Sequence, residues 1–482
     1  MRAILLLAAA FLIVPAQAQT PPVQTQAPPL PAQTTPAQAS PAQAPTPSAP
    51  EPGPTTRPIH TAYADTGKTC DGWPRAAIGM APGFCAGIVV GPPADFNARI
   101  LKMPRVPLVL PGGKDVLVSD LTQWGSSGGQ IFRITAEPGK PPIIKPILTG
   151  LYMPHAITRG PDGKIYVNEI SRIFRFDPDA ADPQASIETV IADLPDTRVK
   201  FNLHPLSSFM FDANRDLLVS VGAPTDRCTT KDGKPDGTEF CLQSEGADAD
   251  KTAVIRRYAY IGGGRWSPRF KIMAQGLRNS IAMVLHKSGT LLQGENGVDF
   301  PQADSPFEEF NVLHQGAHYG WPYCYDMNGA VPLWADSHIM DCDSRKHTKP
   351  VRLLPPHGSP LSMLYYNGAM FPELRGKLVL SLHGYRPAGA RLVAFEVDRH
   401  GIPLVVPNAH YDAYAAREGD ATVSLPYPGP AAEPLVITPG WNTVVGTHPM
   451  GSPLGLSVAE DGAIWLVEDR NATVLRIARD RP

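Results

Sequence analysis

A short unit recurs along the chain: an apolar strand, a tight turn containing Gly, Asp or Lys, and a second apolar strand. Six copies can be read, at Val109–Val118, Ala156–Val167, Ser208–Val219, Ile281–Leu292, Met370–Val379 and Leu456–Leu466. Several are followed by a third apolar strand, at Gln130–Ile134, Ser171–Phe176, Arg391–Phe395 and Thr473–Ile477. Three or four antiparallel strands repeated six times are typical of a β-propeller, whose blades bury their faces against one another. The sequence therefore predicts an all-β, six-bladed propeller with long loops on one face; a pair of irregular β-sandwiches is the alternative.

Composition excludes several other classes of protein. The 482 residues include 54 Pro and 43 Gly, and both residue types break helix interiors, so a helical bundle or a coiled coil is excluded. The 43 basic residues nearly balance the 45 acidic ones, which leaves no electrostatic signature of nucleic-acid binding or of an anionic membrane surface. We therefore expect no nucleic-acid partner and no stable insertion in a membrane.

The N-terminal part of the chain is interpreted as a targeting signal followed by a linker. Residues 1–18 have a positive start, an apolar run and Ala16-Gln17-Ala18, which is the pattern of a secretory signal peptide. Residues 19–60 are rich in Pro, Ala, Gln and Thr, which predicts an extended, disordered linker. The propeller domain is then predicted over residues 61–482, in a periplasmic or secreted protein; the alternative for the apolar run is a retained N-terminal anchor.

Export makes the six cysteines informative, because disulfides persist in oxidising compartments. The cysteines fall into three neighbouring pairs, and nearest-neighbour pairing predicts the bonds 70–85, 228–241 and 324–342. No Cys-x-x-Cys-His motif is present, so no covalently attached haem is expected.

One stretch carries a chain of linked motifs. It contains Gly276-Leu-Arg-Asn279, Gln293-Gly-Glu-Asn-Gly297, Glu308-Glu-Phe-Asn311 and Gly316-Ala-His-Tyr-Gly-Trp-Pro322, in that order. This series resembles the soluble quinoprotein glucose/sorbosone dehydrogenases, six-bladed propellers that use pyrroloquinoline quinone (PQQ) with Ca²⁺. Weaker resemblance extends over about residues 85–480, and His383-Gly-Tyr-Arg386 is closer to the sorbosone-dehydrogenase-like branch.

The resemblance implies roles for individual residues. His204 stands where the family places its general base, and Arg278 is the natural partner for charge that develops on a quinone oxygen. It implies that PQQ contacts Arg278, Asn279, His383 and Arg386. It implies Ca²⁺ ligands at the carbonyls of Gly297 and Val298, and a second, structural Ca²⁺ at Glu309 and the carbonyl of Tyr319.

The sequence also departs from the glucose-oxidising members. Ile281 replaces a Gln, Ala223 stands in place of an Asp although Asp226 is nearby, and His383 replaces a Lys. The last blade lacks the arginines that clamp the PQQ carboxylates, and Arg386 and Arg391 are the candidate substitutes.

The expected function is therefore oxidation of a sugar, or of a sugar-derived aldehyde or hemiacetal, by hydride transfer to Ca²⁺-bound PQQ. The expected partners are a small sugar substrate and an external electron acceptor, either a cytochrome or a quinone. Two alternatives remain open on the same scaffold: a Ca²⁺-dependent lactonase-like hydrolase, and a non-catalytic propeller that binds glycans or envelope partners.

Overall fold

The computed structural model describes most of the chain beyond the predicted linker. The described residues are 63, 65–93, 96–199, 201–230, 232–235, 251–302, 305–337, 339–384, 389–404, 412–418, 421–427, 433–439, 441, 444–445, 448–449 and 451–481. The predicted signal peptide and the predicted linker lie outside them, as do Cys241 and Arg386.

The first half of the fold forms three antiparallel blades. The N-terminal strands are β1 (Thr69–Cys70), β2 (Trp73–Pro74) and β3 (Phe84–Val90). Blade 1 consists of β4 (Pro104–Val109), β5 (Asp115–Asp120), β6 (Gly129–Thr135) and β7 (Ile143–Leu151). Blade 2 consists of β8 (Ile157–Arg159), β9 (Ile165–Asn168), β10 (Ile173–Phe176) and β11 (Glu188–Ile191). Blade 3 consists of β12 (Phe209–Phe211), β13 (Leu217–Val221), β14 (Val254–Gly262) and β15 (Arg265–Gln275).

The second half forms three more blades with longer connections. Blade 4 contains β16 (Ala282–Leu285), β17 (Leu291–Glu295), β18 (Glu308–Val312) and β22 (Arg352–Leu354). Between β18 and β22 the chain forms the short strands β19 (Ala317–His318), β20 (Cys324–Tyr325) and β21 (Gly329–Ala330). Of these, β19 pairs parallel with β15 and is the fifth strand of the blade 3 sheet. Blade 5 contains β23 (Pro360–Tyr365), β24 (Leu378–Leu382), β25 (Arg391–Phe395) and, after the hairpin of β26 (Asp412–Glu418) and β27 (Ala421–Tyr427), β28 (Leu435–Val436). The short pair β29 (Val444–Val445) and β30 (His448–Pro449) precedes β31 (Pro453–Val458), β32 (Ile464–Glu468) and β33 (Thr473–Arg479), which form blade 6 together with β3. The described helical segments are 3₁₀ turns at Phe96–Ala98, Gln184–Ser186, Ala335–Ser337 and Pro372–Leu374.

This architecture confirms the predicted all-β, six-bladed propeller. Because neighbouring blades cover both faces of a sheet, the middle strands are buried along their whole length rather than at alternate positions. The strands β9, β13, β17, β24 and β32 are buried at every position. The cores lie between blades: one of them joins Leu292 and Phe310 of blade 4 to Leu380 and Phe395 of blade 5.

The predicted repeat was wrong at one place. The segment Met370–Val379 was expected to begin with a strand, but the inner strand of blade 5 is Pro360–Tyr365, and residues 366–377 form its turn. Phe371 and Leu374 are fully buried there in the core beside blade 6, so they mimic the apolar pattern of a strand without pairing in a sheet.

The N-terminal strand closes the ring. β3 pairs antiparallel with β33, so blade 6 is built from both ends of the domain, and β31 contacts β4 of blade 1. The disulfide Cys70–Cys85 ties β1 to β3, and Cys324–Cys342 closes the loop after β20; both confirm the predicted pairing. Cys228 is buried, and its predicted partner Cys241 lies outside the described residues.

A channel runs along the propeller axis. A cavity of about 420 Å³ is lined by the inner strands β8, β12, β16 and β23, together with Val106 of β4. Within the part of the chain that the structure describes, no helix has the length and apolar character needed to cross a membrane.

Candidate functional site

A second cavity, of about 210 Å³, opens where the inner strands begin, and we call it the site cavity. Its walls come from all six blades and from their loops. The lining residues are Met103, Arg105, Trp124, His155, Leu203, His204, Pro205, Leu206, Asn279, Ile281, Asn296, Ser359, Leu361, His383 and Asp469. His155, Ile281 and Leu361 also line the axial channel, so they form the floor between the two cavities.

His204 is held with one ring nitrogen occupied. Its Nδ1 lies 2.7 Å from the carbonyl oxygen of Ala223, which can only accept, so Nδ1 donates and a neutral ring leaves its lone pair on Nε2. Burial, followed by the positive charge of Arg278, lowers the pKa of His204 to about 3. The residue is therefore neutral at physiological pH, which is the form that a general base needs.

The backbone around His204 is equally constrained. The Asn202 side chain accepts the His204 N–H at 2.7 Å and donates to the carbonyl of Gly222 at 3.2 Å. A Cβ on Gly222 would come within 2.5 Å of the His204 carbonyl oxygen, so only glycine allows this approach.

A second imidazole, on the cavity floor, is also held through its Nδ1 by a backbone carbonyl. The Nδ1 of His155 donates to the carbonyl of Ser207 at 3.1 Å, and its buried Nε2 has no hydrogen-bond partner among the described residues. Burial, followed by the charge of Arg105, lowers the pKa of His155 to about 3.

A hydrogen-bonded triad lines another part of the cavity wall. Asp469 accepts from Arg105 at 2.7 Å and from the Nε2 of His383 at 3.0 Å. All three groups are nearly buried, and the pKa of Asp469 is lowered because the effect of His383 and Arg105 outweighs that of burial. The triad joins blades 1, 5 and 6 across the point where the ring closes.

Arg278 lies just behind the cavity wall. Its guanidinium contacts Asp226 at 2.8 Å and Asp299 at 2.6 Å, and it donates to the carbonyl of Asn296 at 3.2 Å. Its charge acts on His204, so the two predicted catalytic groups lie in one site.

A buried carboxylate positions the segment that carries Asn279. Glu295 accepts the backbone N–H of Asn279 at 2.9 Å and the hydroxyl of Ser280 at 2.7 Å. Asn296 donates from its side chain to the Asn279 carbonyl at 2.8 Å. These bonds fix Asn279 at the cavity edge.

The predicted cation ligands lie in the loop between β17 and β18. Glu308 accepts the Gly297 N–H at 2.6 Å and the Ser359 N–H at 3.0 Å, which anchors this loop to blade 5. No donor among the described residues bonds to the carbonyl oxygens of Gly297 or Val298 in the hydrogen bonds observed. Among the same residues no three His, Cys, Asp or Glu side chains are grouped to hold a metal ion.

Glu309 and Tyr319 occupy the interior beside this loop. The Glu309 carboxylate accepts from Asn311 at 3.1 Å, and burial raises its pKa well above the usual range. The Tyr319 hydroxyl donates to the carbonyl of Val312 at 2.6 Å, so its ring is part of the core.

The structure thus brings together His204, Asn279 and His383 at one cavity, with Arg278 directly behind it. Arg391 lines a separate small cavity and does not reach the site. Arg105, Asp469 and Trp124 are site residues that the sequence analysis did not identify. The available signal for Arg105 was a lone charge inside the apolar strand Pro104–Val109.

Six blades around an axial channel, with a cavity at one end, define a six-bladed β-propeller. A family model described as glucose/sorbosone dehydrogenase matches residues 168–398, which confirms the resemblance seen in the sequence. No curated protein matches the chain.

Solved structures share the fold at low identity. The holo PQQ domain of pyranose dehydrogenase from Coprinopsis cinerea aligns with a TM-score of 0.60 and 19% identity, over 85% of this chain and 100% of that one. A calcium structure of a family AA12 carbohydrate-active enzyme from Trichoderma reesei gives 0.60 and 15%, over 89% and 100%. The PQQ-bound aldose sugar dehydrogenase of Streptomyces coelicolor gives 0.50 and 16%, over 83% and 100%.

Proposed function

We propose that this protein is a sugar-oxidising quinoprotein whose general base is His204. The observation that carries the proposal is the tautomer of His204: Nδ1 donates to the Ala223 carbonyl, so Nε2 offers a lone pair in a cavity lined by polar groups. The family match and the PQQ-containing structural neighbours support this reading.

In the proposed reaction His204 removes a proton from a sugar hydroxyl while the adjacent carbon loses a hydride, so a C=O bond forms and two electrons leave the sugar. PQQ, when bound, would supply the quinone that accepts the hydride. His204 holds the proton on Nε2, and the nearby Arg278 stabilises negative charge that develops in the cavity.

The residues of the site cavity fit an anionic, planar cofactor. Arg105 carries a buried Nε without a hydrogen-bond partner among the described residues, which leaves a cationic donor available for a carboxylate. Arg105 would thus bind the cofactor carboxylates, which is the role first considered for Arg386 and Arg391. Arg386 lies outside the described residues, and Arg391 lines a separate cavity. Asn279 and His383 provide further polar contacts on the same walls.

We further propose that Ca²⁺ binds at the carbonyls of Gly297 and Val298, and that a structural Ca²⁺ uses Glu309 and the Tyr319 carbonyl. Support comes from the carbonyl oxygens of Gly297 and Val298, to which no described residue donates, and from the buried carboxylate of Glu309, a hard oxygen ligand of the type Ca²⁺ prefers. A cation beside Glu309 would also offset the free energy of burying that carboxylate.

The cellular setting is proposed from the sequence. The segment 1–18 predicts export to the periplasm or the medium, where a sugar substrate is oxidised and electrons pass to a cytochrome or an external quinone.

The experiment is reconstitution of the purified protein with PQQ and Ca²⁺, followed by dye reduction with a panel of aldoses and sorbosone. The variant His204→Asn retains a donor for the Ala223 carbonyl but lacks the base, and we expect kcat to fall roughly 10²- to 10⁴-fold with cofactor binding intact. His400→Ala, an exposed histidine outside the cavity, is the control and should retain full activity.

Other outcomes would identify the alternatives. Hydrolysis of lactones without dye reduction, dependent on Ca²⁺ alone, would replace the proposal with a lactonase-like hydrolase. Full activity of His204→Asn would remove His204 from the mechanism.

A further inference from the structure

A groove lies at the end of the propeller opposite the site cavity, and we call it the far groove. Its volume is about 660 Å³, which falls in the range of about 300–1,000 Å³ typical of small-molecule sites. The inner strands β16 and β23 end at this groove, whereas the site cavity opens where the inner strands begin. Val284 and Leu285 line both the far groove and the axial channel, so the two spaces adjoin each other.

Three cationic side chains line the far groove from three separate segments. Lys287 lies in the turn after β16, Arg375 in the turn after β23, and Arg399 in the hairpin after β25. All three are exposed, and no carboxylate among the described residues forms an ion pair with any of them. The guanidinium of Arg399 bonds instead to the Nε2 of His400, at 2.9 Å. The groove therefore offers charged donors that a ligand can use.

The two carboxylates that line the far groove are already engaged. Glu396 forms an ion pair with Lys377 at 2.6 Å. Asp398 uses one oxygen to accept the N–H groups of His400 and Ile402, at 2.8 and 2.9 Å. The groove thus keeps an excess of positive charge, which favours an anionic ligand.

Close packing fixes one wall of the far groove. Tyr365 donates its hydroxyl to the carbonyl of Gly401 at 2.7 Å, and its ring meets the ring of His286 edge to face, with 4.7 Å between centroids. Gly401 has a φ of +83°, and a Cβ there would lie 2.4 Å from the His286 ring, so only glycine allows this approach. The groove is therefore formed before any ligand arrives.

Apolar side chains line much of the remaining surface. They are half-buried and belong to Val284, Leu285, Leu364 and Val397. A free phosphate or sulfate ion would pair with the cations but would leave these side chains in contact with water. A pyranose ring that bears a carboxylate matches both kinds of group, because its C–H faces are apolar and its planar carboxylate fits a guanidinium.

We propose that the far groove binds an acidic oligosaccharide, whose uronate carboxylates pair with Lys287, Arg375 and Arg399 while its rings pack on the apolar lining. A concave groove suits a discrete saccharide chain, whereas the flat surface of a bilayer does not enter it. Such binding holds the protein on an acidic polysaccharide and leaves the site cavity, at the other end of the propeller, open. It does not depend on the reaction proposed for that cavity.

Titration calorimetry of the purified protein tests the inference. The probe is α-1,4-linked trigalacturonate, and its control is the fully methyl-esterified trisaccharide, which has the same rings without the charges. The acid should bind with a Kd between about 10 μM and 1 mM, and the ester should not bind in this range. Affinity for the acid should fall in about 0.5 M NaCl, because salt screens exposed charges.

Variants locate the binding in the far groove. Lys287→Gln and Arg375→Gln each remove one charge from an exposed turn, and each should raise the Kd for trigalacturonate about fivefold or more. Arg269→Gln removes an exposed guanidinium from β15 of blade 3, outside the groove, and should leave the Kd unchanged.

Several results would overturn the inference. If the wild type does not bind trigalacturonate, or binds the acid and the ester equally, the cations of the groove hold no uronate. If Lys287→Gln and Arg375→Gln both bind as the wild type does, the saccharide binds elsewhere. If inorganic phosphate displaces trigalacturonate at equal concentration, the groove is a general anion site and the assignment to a saccharide is wrong. Failure of the protein to oxidise sugars would leave all of these measurements unchanged.

Discussion

At the scale of single residues, the neutral histidines couple the stability of the fold to pH. His155 is 2% exposed and its pKa in the folded protein is about 3, against about 6.5 in an unfolded chain. Between these values the unfolded chain binds the additional proton, so the free energy of unfolding falls as the pH drops below about 6.5. For one such group, each unit by which the pH falls in that window lowers the free energy of unfolding by up to about 1.4 kcal/mol.

We therefore expect the variant His155→Asn to flatten this dependence. Asn keeps a donor for the Ser207 carbonyl but has no titrating ring, so the variant should lose stability against wild type at pH 7 and recover part of that difference at pH 5. Urea unfolding at both pH values measures the change, with His400→Ala as an exposed control. A difference between His155→Asn and wild type that is the same at pH 7 and pH 5 would show that His155 is not buried neutral.

At the scale of structural elements, the loop between β17 and β18 depends on one carboxylate. Glu308 accepts two backbone N–H groups, from Gly297 and Ser359, with its two oxygens. The amide of Glu308→Gln has a single oxygen, so one N–H would face an NH₂ group and lose its partner, at a cost of roughly 1–3 kcal/mol. Because the Gly297 carbonyl is a proposed Ca²⁺ ligand, the Ca²⁺ concentration needed for half-maximal reconstitution should also rise.

Two measurements check this expectation. Urea unfolding gives the stability loss, and titration of the apo-protein with Ca²⁺ in the presence of PQQ gives the shift in midpoint. Glu460→Gln is the matched control, because Glu460 is exposed and accepts one surface N–H, from Gly112. If Glu308→Gln gives wild-type values in both experiments, the Glu308 carboxylate does not hold this loop in place.

The elements also show how far the sequence predicts this fold. Hairpins such as Ala156–Val167 were predictable because two apolar strands flank a turn whose residues adopt it locally. The inner strand of blade 5 was missed because the apolar residues Phe371 and Leu374 of its long turn are buried against blade 6. Sequence periodicity reports burial, and it does not distinguish a strand from a turn that fills a gap between blades.

The site residues also divide into those that the sequence predicts and those that it does not. His204 and Asn279 were predictable from linear motifs that resemble a known family. Arg105 and Asp469 were not, because they are separated by 364 positions and meet only where blade 6 closes against blade 1. Trp124 lacked any local signal, since its exposure is decided by the loop around it.

At the scale of the whole molecule, ring closure depends on a short N-terminal segment. β3 pairs with β33, Arg75 forms a double hydrogen bond with Asp480 at 2.7 Å, and the disulfide Cys70–Cys85 binds the segment to itself. The bridge spans 15 residues, and a loop of that length is expected to contribute roughly 3 kcal/mol. The double variant Cys70→Ser/Cys85→Ser should lose about that much stability without leaving an unpaired thiol.

The position of this disulfide predicts which part of the fold is destabilised when it is removed. In the double variant, hydrogen exchange should accelerate at the amides of β33, because its partner β3 is no longer anchored. The pairing of β3 with β33 should then be the first part of the fold to open. The variant Cys324→Ser/Cys342→Ser removes a bridge of 18 residues beside blade 4, with a similar entropic effect on the unfolded chain. It should destabilise the protein comparably while the exchange of β33 stays at the wild-type rate. Equal acceleration of β33 in both variants would mean that the disulfides act on the unfolded chain alone and that the closure of the propeller does not depend on Cys70–Cys85.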